Sequence, residues 1–184
     1  MNTVAVAAPA LTTWAIDSAH SHVEFSVRHL MIATVKGRFS EVRGTVTTDE
    51  TDPAGGAVDV TIGAASIDTR EPKRDEHLRS ADFFDVATFP TLTFRSTRIE
   101  AVNGSDFTLI GDLTIRGVTR EVALAVESHG QATDPWGNKK AGFTATGKIK
   151  RGDFGLTWNA ALETGGVVVG DEVKITIDAE LLKQ

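Results

Sequence analysis

Apolar and polar residues alternate along most of this chain with a period of two, the pattern of strands that bury one face. From Trp14 the run WAIDSAHSHVEFSVRHL puts Ser21, Val23, Phe25, Val27 and His29 on one face and His22, Glu24, Ser26 and Arg28 on the other. The first set is predicted to face inward. Residues 32–36 read as a short irregular link, and residues 37–50 as the next strand, with a phase slip between Phe39 and Val42. Such a slip predicts a bulge or kink, the usual device by which a strand rounds a barrel corner. Residues 51–56 have the composition of a turn, and residues 57–68 return with Val58, Val60 and Ile62 inward. Further strands are predicted at 91–99, 107–115, 118–127, 141–151 and 171–181. Asn103-Gly104 is a hairpin signal, Arg116-Gly117 joins two strands directly, and Phe143, Ala145, Gly147 and Ile149 share one face.

One stretch breaks the alternation. Arg74-Asp-Glu-His-Leu-Arg-Ser-Ala-Asp-Phe-Phe-Asp85, followed by Phe89-Pro90, reads as a short helix. Pro72 suits its first turn, Asp75 and Arg79 stand at i and i+4 as a surface pair, and Leu78, Phe83 and Phe84 supply the buried side. The chain is therefore all-β with a helical plug. About eight strands with one apolar face each fit a closed antiparallel barrel or a sandwich. A barrel of that size either fills its interior with side chains or holds one small ligand. Ser21, Ala64, Gly111, Ala145, Gly147 and Ala179 are small inward residues. They mark either interior space left to a ligand or places where strands cross closely, and the pattern leaves both readings open.

Length and charge narrow the function. The 184 residues carry a formal net charge of -6 with a pI near 5.3, and the charges of both signs are interspersed. No basic face is offered to nucleic acid. There is no Cys, which removes disulfides, thiolate metal sites and thiol nucleophiles together. Residues 1–13 read as an N-terminal arm and 14–184 as a single domain. The first eleven residues are Ala-rich but hold no Lys or Arg, and Pro9 interrupts their apolar run, so they do not read as a signal peptide. No stretch approaches the roughly 20 apolar residues of a membrane span. A cytoplasmic location is expected, with export as the alternative.

Catalytic chemistry finds little support. No Ser/His/Asp ordering, phosphate-binding loop or distinctive carboxylate pair is present, and Gly165-Gly166 reads as a flexible hairpin. His20 and His22 share a strand face opposite to His29, while His77 lies on the helix, so no metal site is expected from them. His29 has inward parity, and a polar group in an apolar interior needs a partner; it is a candidate for orienting a ligand's polar end. Arg74, Asp75 and His77 are candidates for a head group.

Several segments in order are similar to those of the YceI-like family of isoprenoid- and lipid-binding proteins. They are residues 17–30 (DSAHSHVEFSVRHL), Gly37-Arg-Phe39, Ser66-Ile-Asp-Thr69, Arg74-Asp-Glu-His-Leu78 with Asp82-Phe-Phe-Asp85, Phe89-Pro90, residues 111–119 (GDLTIRGVT) and Arg151-Gly-Asp-Phe-Gly155. The resemblance spans residues 14–182. It implies a lipocalin-like, elongated, eight-stranded antiparallel barrel with a helix at one end, a long apolar tunnel for a polyprenyl chain or similar lipid, and a homodimer. Many family relatives are exported. The residues expected against the ligand are Phe25, Val27, His29, Phe39, Leu78, Phe83, Phe84, Phe94, Leu113, Ile115, Phe143, Phe154 and Trp158. No cofactor is expected beyond a co-purified isoprenoid or other lipid. The leading expectation is a non-enzymatic carrier or store of a long apolar molecule. The alternatives are a barrel enzyme acting on a lipid-like substrate, with His29 or His77 as base, and a structural dimer module with a packed interior.

Overall fold

The computed structural model describes residues 11–49 and 52–184. Its strands are β1 (Leu11–Ile16), β2 (His22–His29), β3 (Ala33–Phe39), β4 (Val42–Asp49), β5 (Ala57–Gly63), β6 (Ile67–Asp68), β7 (Thr91–Asn103), β8 (Asp106–Ile115), β9 (Val118–Thr133), β10 (Lys139–Lys150) and β11 (Val169–Lys183). One helix, α1 (Pro72–Arg79), stands between β6 and β7.

Eight strands close into an antiparallel barrel in the order β1, β4, β5, β7, β8, β9, β10, β11, and the pairing of β1 with β11 completes the ring. β11 is long enough to serve two partners. Its end pairs with β1 through Trp14 and Lys183, and its earlier part pairs with β2, as Ser26 does with Lys174. β3 lies along β2 as β4 lies along β1. The first two hairpin arms are thus bent staves, each divided into two strands. Strands of this length make the barrel elongated: the 16 residues of β9, at about 3.3 Å each, extend over roughly 50 Å.

The phase slip is a break rather than a bulge. Ser40 and Glu41 separate β3 from β4, and both backbone N–H groups donate to Ser66 Oγ at 3.2 and 3.1 Å. Phe39 and Val42 then both point inward and are buried. The link expected at 32–36 is corrected as well, because β3 begins at Ala33 and pairs regularly with β2. The barrel's first strand begins at Leu11, three residues before the expected boundary of the arm, and pairs with Asp49. The remainder of the expected arm, residues 1–10, lies outside the described residues.

Turn chemistry follows the sequence closely. Arg116 and Gly117 both have positive φ, 50° and 72°, as a two-residue type I′ hairpin requires, and Ile115 pairs with Val118 around them. The β7–β8 hairpin, expected at Asn103-Gly104, turns one residue later at Gly104-Ser105, because Asn103 still pairs with Asp106.

The helix differs from expectation in how it is held. It contributes one apolar side chain, Leu78, to the core, while Phe83, Phe84 and Val86 come from the turns that follow. Asp75 and Arg79 do not pair. Asp75 is buried and accepts from the Thr69 backbone N–H at 2.9 Å and from Thr69 Oγ1 at 2.5 Å. Arg79 donates instead to the Ala65 and Ile67 carbonyls at 2.9 and 2.8 Å. A polar helix is thus tied to the 64–69 segment by hydrogen bonds, and its apolar trailing turns plug the barrel.

Candidate functional site

A cavity of about 620 Å³ runs inside the barrel, within the roughly 300–1,000 Å³ typical of small-molecule pockets. Its wall largely follows the inward parity of each stave, although His22 and Glu24, of the opposite parity on β2, also reach its lining. β2 supplies Val23, Phe25 and Val27, β5 supplies Val58, Val60 and Ile62, β9 supplies Val122, Leu124 and Val126, and β11 supplies Val173, Ile175 and Ile177. Leu78, Phe83, Phe84 and Leu156 line the end at the helix, whereas Thr47, Thr48, Gly104, Ser105, Ser128 and Gln131 line the opposite end. The lining therefore grades from aromatic and aliphatic to small and polar along the barrel axis. From Val122 to Gln131 on β9 alone the wall extends about 30 Å at the usual rise per residue.

Ten of the residues singled out from sequence line this cavity: Phe25, Val27, Phe39, Leu78, Phe83, Phe84, Phe94, Leu113, Ile115 and Phe143. Phe154 and Trp158 do not. Phe154 is buried in the core near the helix end, and Trp158 packs 4.8 Å from the His77 ring and 5.4 Å from Phe83. His29, given inward parity by alternation, is half-buried at the end of β2 and outside the lining. The β2–β11 register shifts between Val27 and His29, where Val173 and Val169 are their partners, and parity no longer carries across such a shift.

The head-group candidates also lie off the cavity. Arg74 donates to Thr69 Oγ1 at 2.7 Å and to the Thr69 carbonyl at 2.8 Å. With Asp75 it forms a closed network at the helix start. The Nε2 of His77 meets Asp82 Oδ2 at 2.8 Å, and its ring stands edge-on to Phe83 and Trp158. These three side chains hold the plug in place rather than face the tunnel.

The small residues resolve into two groups. Ala145, Ala179 and Ser21 line the cavity. Gly111 and Gly147 are instead closely covered: a Cβ at Gly111 would lie 2.5 Å from both Phe94 Cζ and the Arg95 carbonyl oxygen, and one at Gly147 would lie 2.7 Å from Leu124 Cδ2. Both readings of the small positions are thus realised, at different residues.

One residue that pattern reading passed over belongs to the wall. Arg151 is 7% exposed and lines the cavity beside Leu156 and Val169. Its Nε donates to the Gly170 carbonyl at 2.8 Å, its Nη1 to the Leu156 and Trp158 carbonyls at 2.7 and 2.9 Å, and its Nη2 to the Val169 carbonyl at 3.3 Å. Burial pushes its guanidinium below the usual arginine range, opposed by the charge of Asp171. The signal was available: Arg151 continues the Phe143, Ala145, Gly147, Ile149 parity by one step.

A second polar cluster lies on the barrel's outside. Asp17, His20 and Glu180 converge, but Lys140 Nζ sits among them, 3.1 Å from Asp17 Oδ2 and 2.5 Å from Glu180 Oε1. His20 Nδ1 is 3.0 Å from Asp17 Oδ2. The lysine ammonium fills the position a metal cation would take. Hydrogen bonding from His20, opposed by burial and reinforced by Lys140, holds the Asp17 carboxyl down at about 2. The group staples the turn between β1 and β2 to β10 and β11.

Comparison with known proteins agrees with this geometry. Residues 14–181 match the YceI-like domain. The chain is 46% identical to Protein YceI of Escherichia coli O17:K52:H18 over 140 residues, covering 76% of this chain and 73% of that protein. It is 40% identical to Protein YceI of Salmonella newport over 168 residues, covering 91% and 84%. Among solved structures, Burkholderia cenocepacia BcnA superposes with a TM-score of 0.77 at 27% identity, covering 90% of this chain and 98% of that one. A polyisoprenoid binding domain from Saccharophagus degradans, with a TM-score of 0.63 at 18% identity and 96% and 100% coverage, shares the fold. The continuous match over residues 14–181 and the identity to Protein YceI place this chain in the YceI-like family.

Proposed function

We propose that this protein binds a long apolar molecule, such as a polyisoprenoid, an isoprenoid quinone or a related lipid, inside its barrel, and that it carries or stores that molecule without transforming it. The observation that carries this reading is the cavity of about 620 Å³, walled by aliphatic and aromatic side chains along most of its length, with polar groups gathered at the far end and Arg151 at the plug end. Over most of its length such a wall offers burial. Burial yields about 0.8 kcal/mol per CH₂ against an association cost of about 4–15 kcal/mol, so net affinity demands a long chain, and an elongated tunnel suits one. The polyisoprenoid-binding domain from Saccharophagus degradans has the same fold, which accords with this class of ligand. His29 and His77, the candidate bases of an enzyme reading, both stand off the cavity wall, which favours binding over turnover.

Native mass spectrometry and lipid extraction of freshly purified protein, followed by uptake of added geranylgeraniol, test the reading. A retained lipid or saturable uptake is expected, and Ala145→Trp, which projects an indole from a wall position, is expected to lower uptake. Protein that neither carries lipid nor takes up the prenol would end it.

A further inference from the structure

Four titratable residues line the cavity: His22, Glu24, Asp49 and Arg151. Arg151 alone among them is buried, and it is the only permanent cation. A buried guanidinium normally has a carboxylate beside it, because an unpaired charge is expensive to desolvate. Here no carboxylate of the described residues lies within ion-pair distance of Arg151. Backbone carbonyls of residues 156, 158, 169 and 170 accept its hydrogen bonds instead. Carbonyls satisfy N–H groups but cancel no net charge, and Asp171, whose charge acts on Arg151 from beyond ion-pair distance, accepts from the Gly152 N–H at 3.0 Å instead. Of the five N–H donors of an arginine, these bonds use four, and among the described residues the fifth, on Nη2, has no acceptor. At the plug end, the wall therefore holds a fixed, positively charged donor beside the apolar Leu156 and Val169. The carbonyl clamp also fixes its position, which lowers the entropic cost of using it in recognition.

The far end of the cavity has the opposite character. Its side chains include Thr47, Thr48, Ser105, Ser128 and Gln131. The molecule as a whole is negative, at -6. An anion left at that end would meet uncharged polar groups on a negatively charged molecule, whereas one carried inward would meet Arg151, the one buried cation among the described residues.

We propose that the ligand ends in an anionic oxygen group, a carboxylate or a phosphate, and lies with that group inward against Arg151 and its apolar chain running toward the polar end of the barrel. The inference rests on the ligand-binding reading above and adds the ligand's chemical class and its orientation. It also gives a reason for an arginine at a position whose strand neighbours of the same parity are Ile149, Gly147 and Ala145.

The test uses matched pairs in competition with a fluorescent apolar probe: geranylgeranyl phosphate against geranylgeraniol, and arachidic acid against methyl arachidate. Wild-type protein is expected to prefer the charged member of at least one pair by about 10-fold or more, the scale of a charged hydrogen bond. Which pair shows the preference tells phosphate from carboxylate. In Arg151→Gln the ratio is expected to fall below about 3-fold, and in Arg151→Lys to be partly kept. Because Arg151 also holds the loop before β11, a measurement on wild-type protein accompanies the variants. The ¹³C-carboxyl signal of bound labelled arachidic acid is expected to resist broadening by a soluble gadolinium chelate, while the terminal methyl is not. Equal affinity within both pairs, an unchanged ratio in Arg151→Gln, or a carboxyl signal broadened before the methyl would each overturn the inference while leaving lipid binding intact. Failure of every probe to bind would remove the underlying reading too.

Discussion

Asp75 shows how little a residue's type says about its role. Its position on a charged helical segment suggests a surface ion pair or a head-group contact, yet it is buried and receives two hydrogen bonds from Thr69. Replacing it with alanine leaves the buried Thr69 N–H and hydroxyl without their acceptor. Asp75→Ala is expected to lower stability in urea unfolding by about 1–3 kcal/mol. A change in ligand preference at unchanged stability would restore the head-group role instead. Gly111 makes the converse point, since a missing side chain there is part of the packing. Its Cβ would meet the Arg95 carbonyl oxygen, which is backbone and cannot swing aside, as well as the Phe94 ring. Gly111→Ala is expected to cost about 1–3 kcal/mol by the same denaturation assay; a neutral result would mean that β7 and β8 separate easily.

The helix and its trailing turns act as one unit, although the forces are divided between them. Arg79, Asp75 and Arg74 tie α1 to the 64–69 segment, and Phe83 and Phe84 fill the barrel end. Phe83 is the better-buried of the two, at 7% exposure, and touches both the cavity and the His77–Trp158 contact. Phe83→Ala is expected to remove about 3–5 kcal/mol of stability and to speed loss of a bound prenol in a stopped-flow chase. Loss of stability with an unaltered off-rate would show that ligand leaves only by the far end. The plug was legible in sequence because its period and composition break with the strands around it. Its fastenings were not, because hydrogen bonds to the carbonyls of Ala65 and Ile67 leave no mark on those residues' identities.

Across the barrel, closure depends on β11 pairing with both β1 and β2, and the polar staple of Asp17, His20, Lys140 and Glu180 lies where those pairings change over. Asp17 is held at about 2, below the roughly 3.9 of an unfolded chain. A carboxyl depressed in the folded state adds stability that is present above the unfolded value and lost as pH falls toward the folded one. The melting temperatures of wild type and Asp17→Asn are therefore expected to differ most near pH 7 and to converge between about pH 4 and pH 2. The group lies at the surface, so the difference is expected to be modest. A gap that stays constant down to pH 2 would assign the effect to lost packing rather than to the charge.

The alternation of apolar residues by itself determined that this chain is an antiparallel all-β fold, a barrel or a sandwich, with one face of each strand inward, and the break in that alternation marked the plug. Those features are local, repeating every two or 3.6 residues, and a single chain displays them directly. Residues such as Val23, Phe25, Val27, Val58 and Val60 were placed inward by that logic alone, and all line the cavity. Tertiary structure decided the rest, wherever register or long-range contact overrides period. The pairing of β1 with β11 decided for the closed barrel. The shift between β2 and β11 took His29 off the wall, Thr69 drew Asp75 into the helix's anchorage, and Phe94 and Leu124 occupied the space beside Gly111 and Gly147. Arg151 stands between the two: its parity was written in the strand, but only the folded barrel, by surrounding it with carbonyls and, among the described residues, holding no carboxylate within ion-pair distance, made its charge a feature of the cavity.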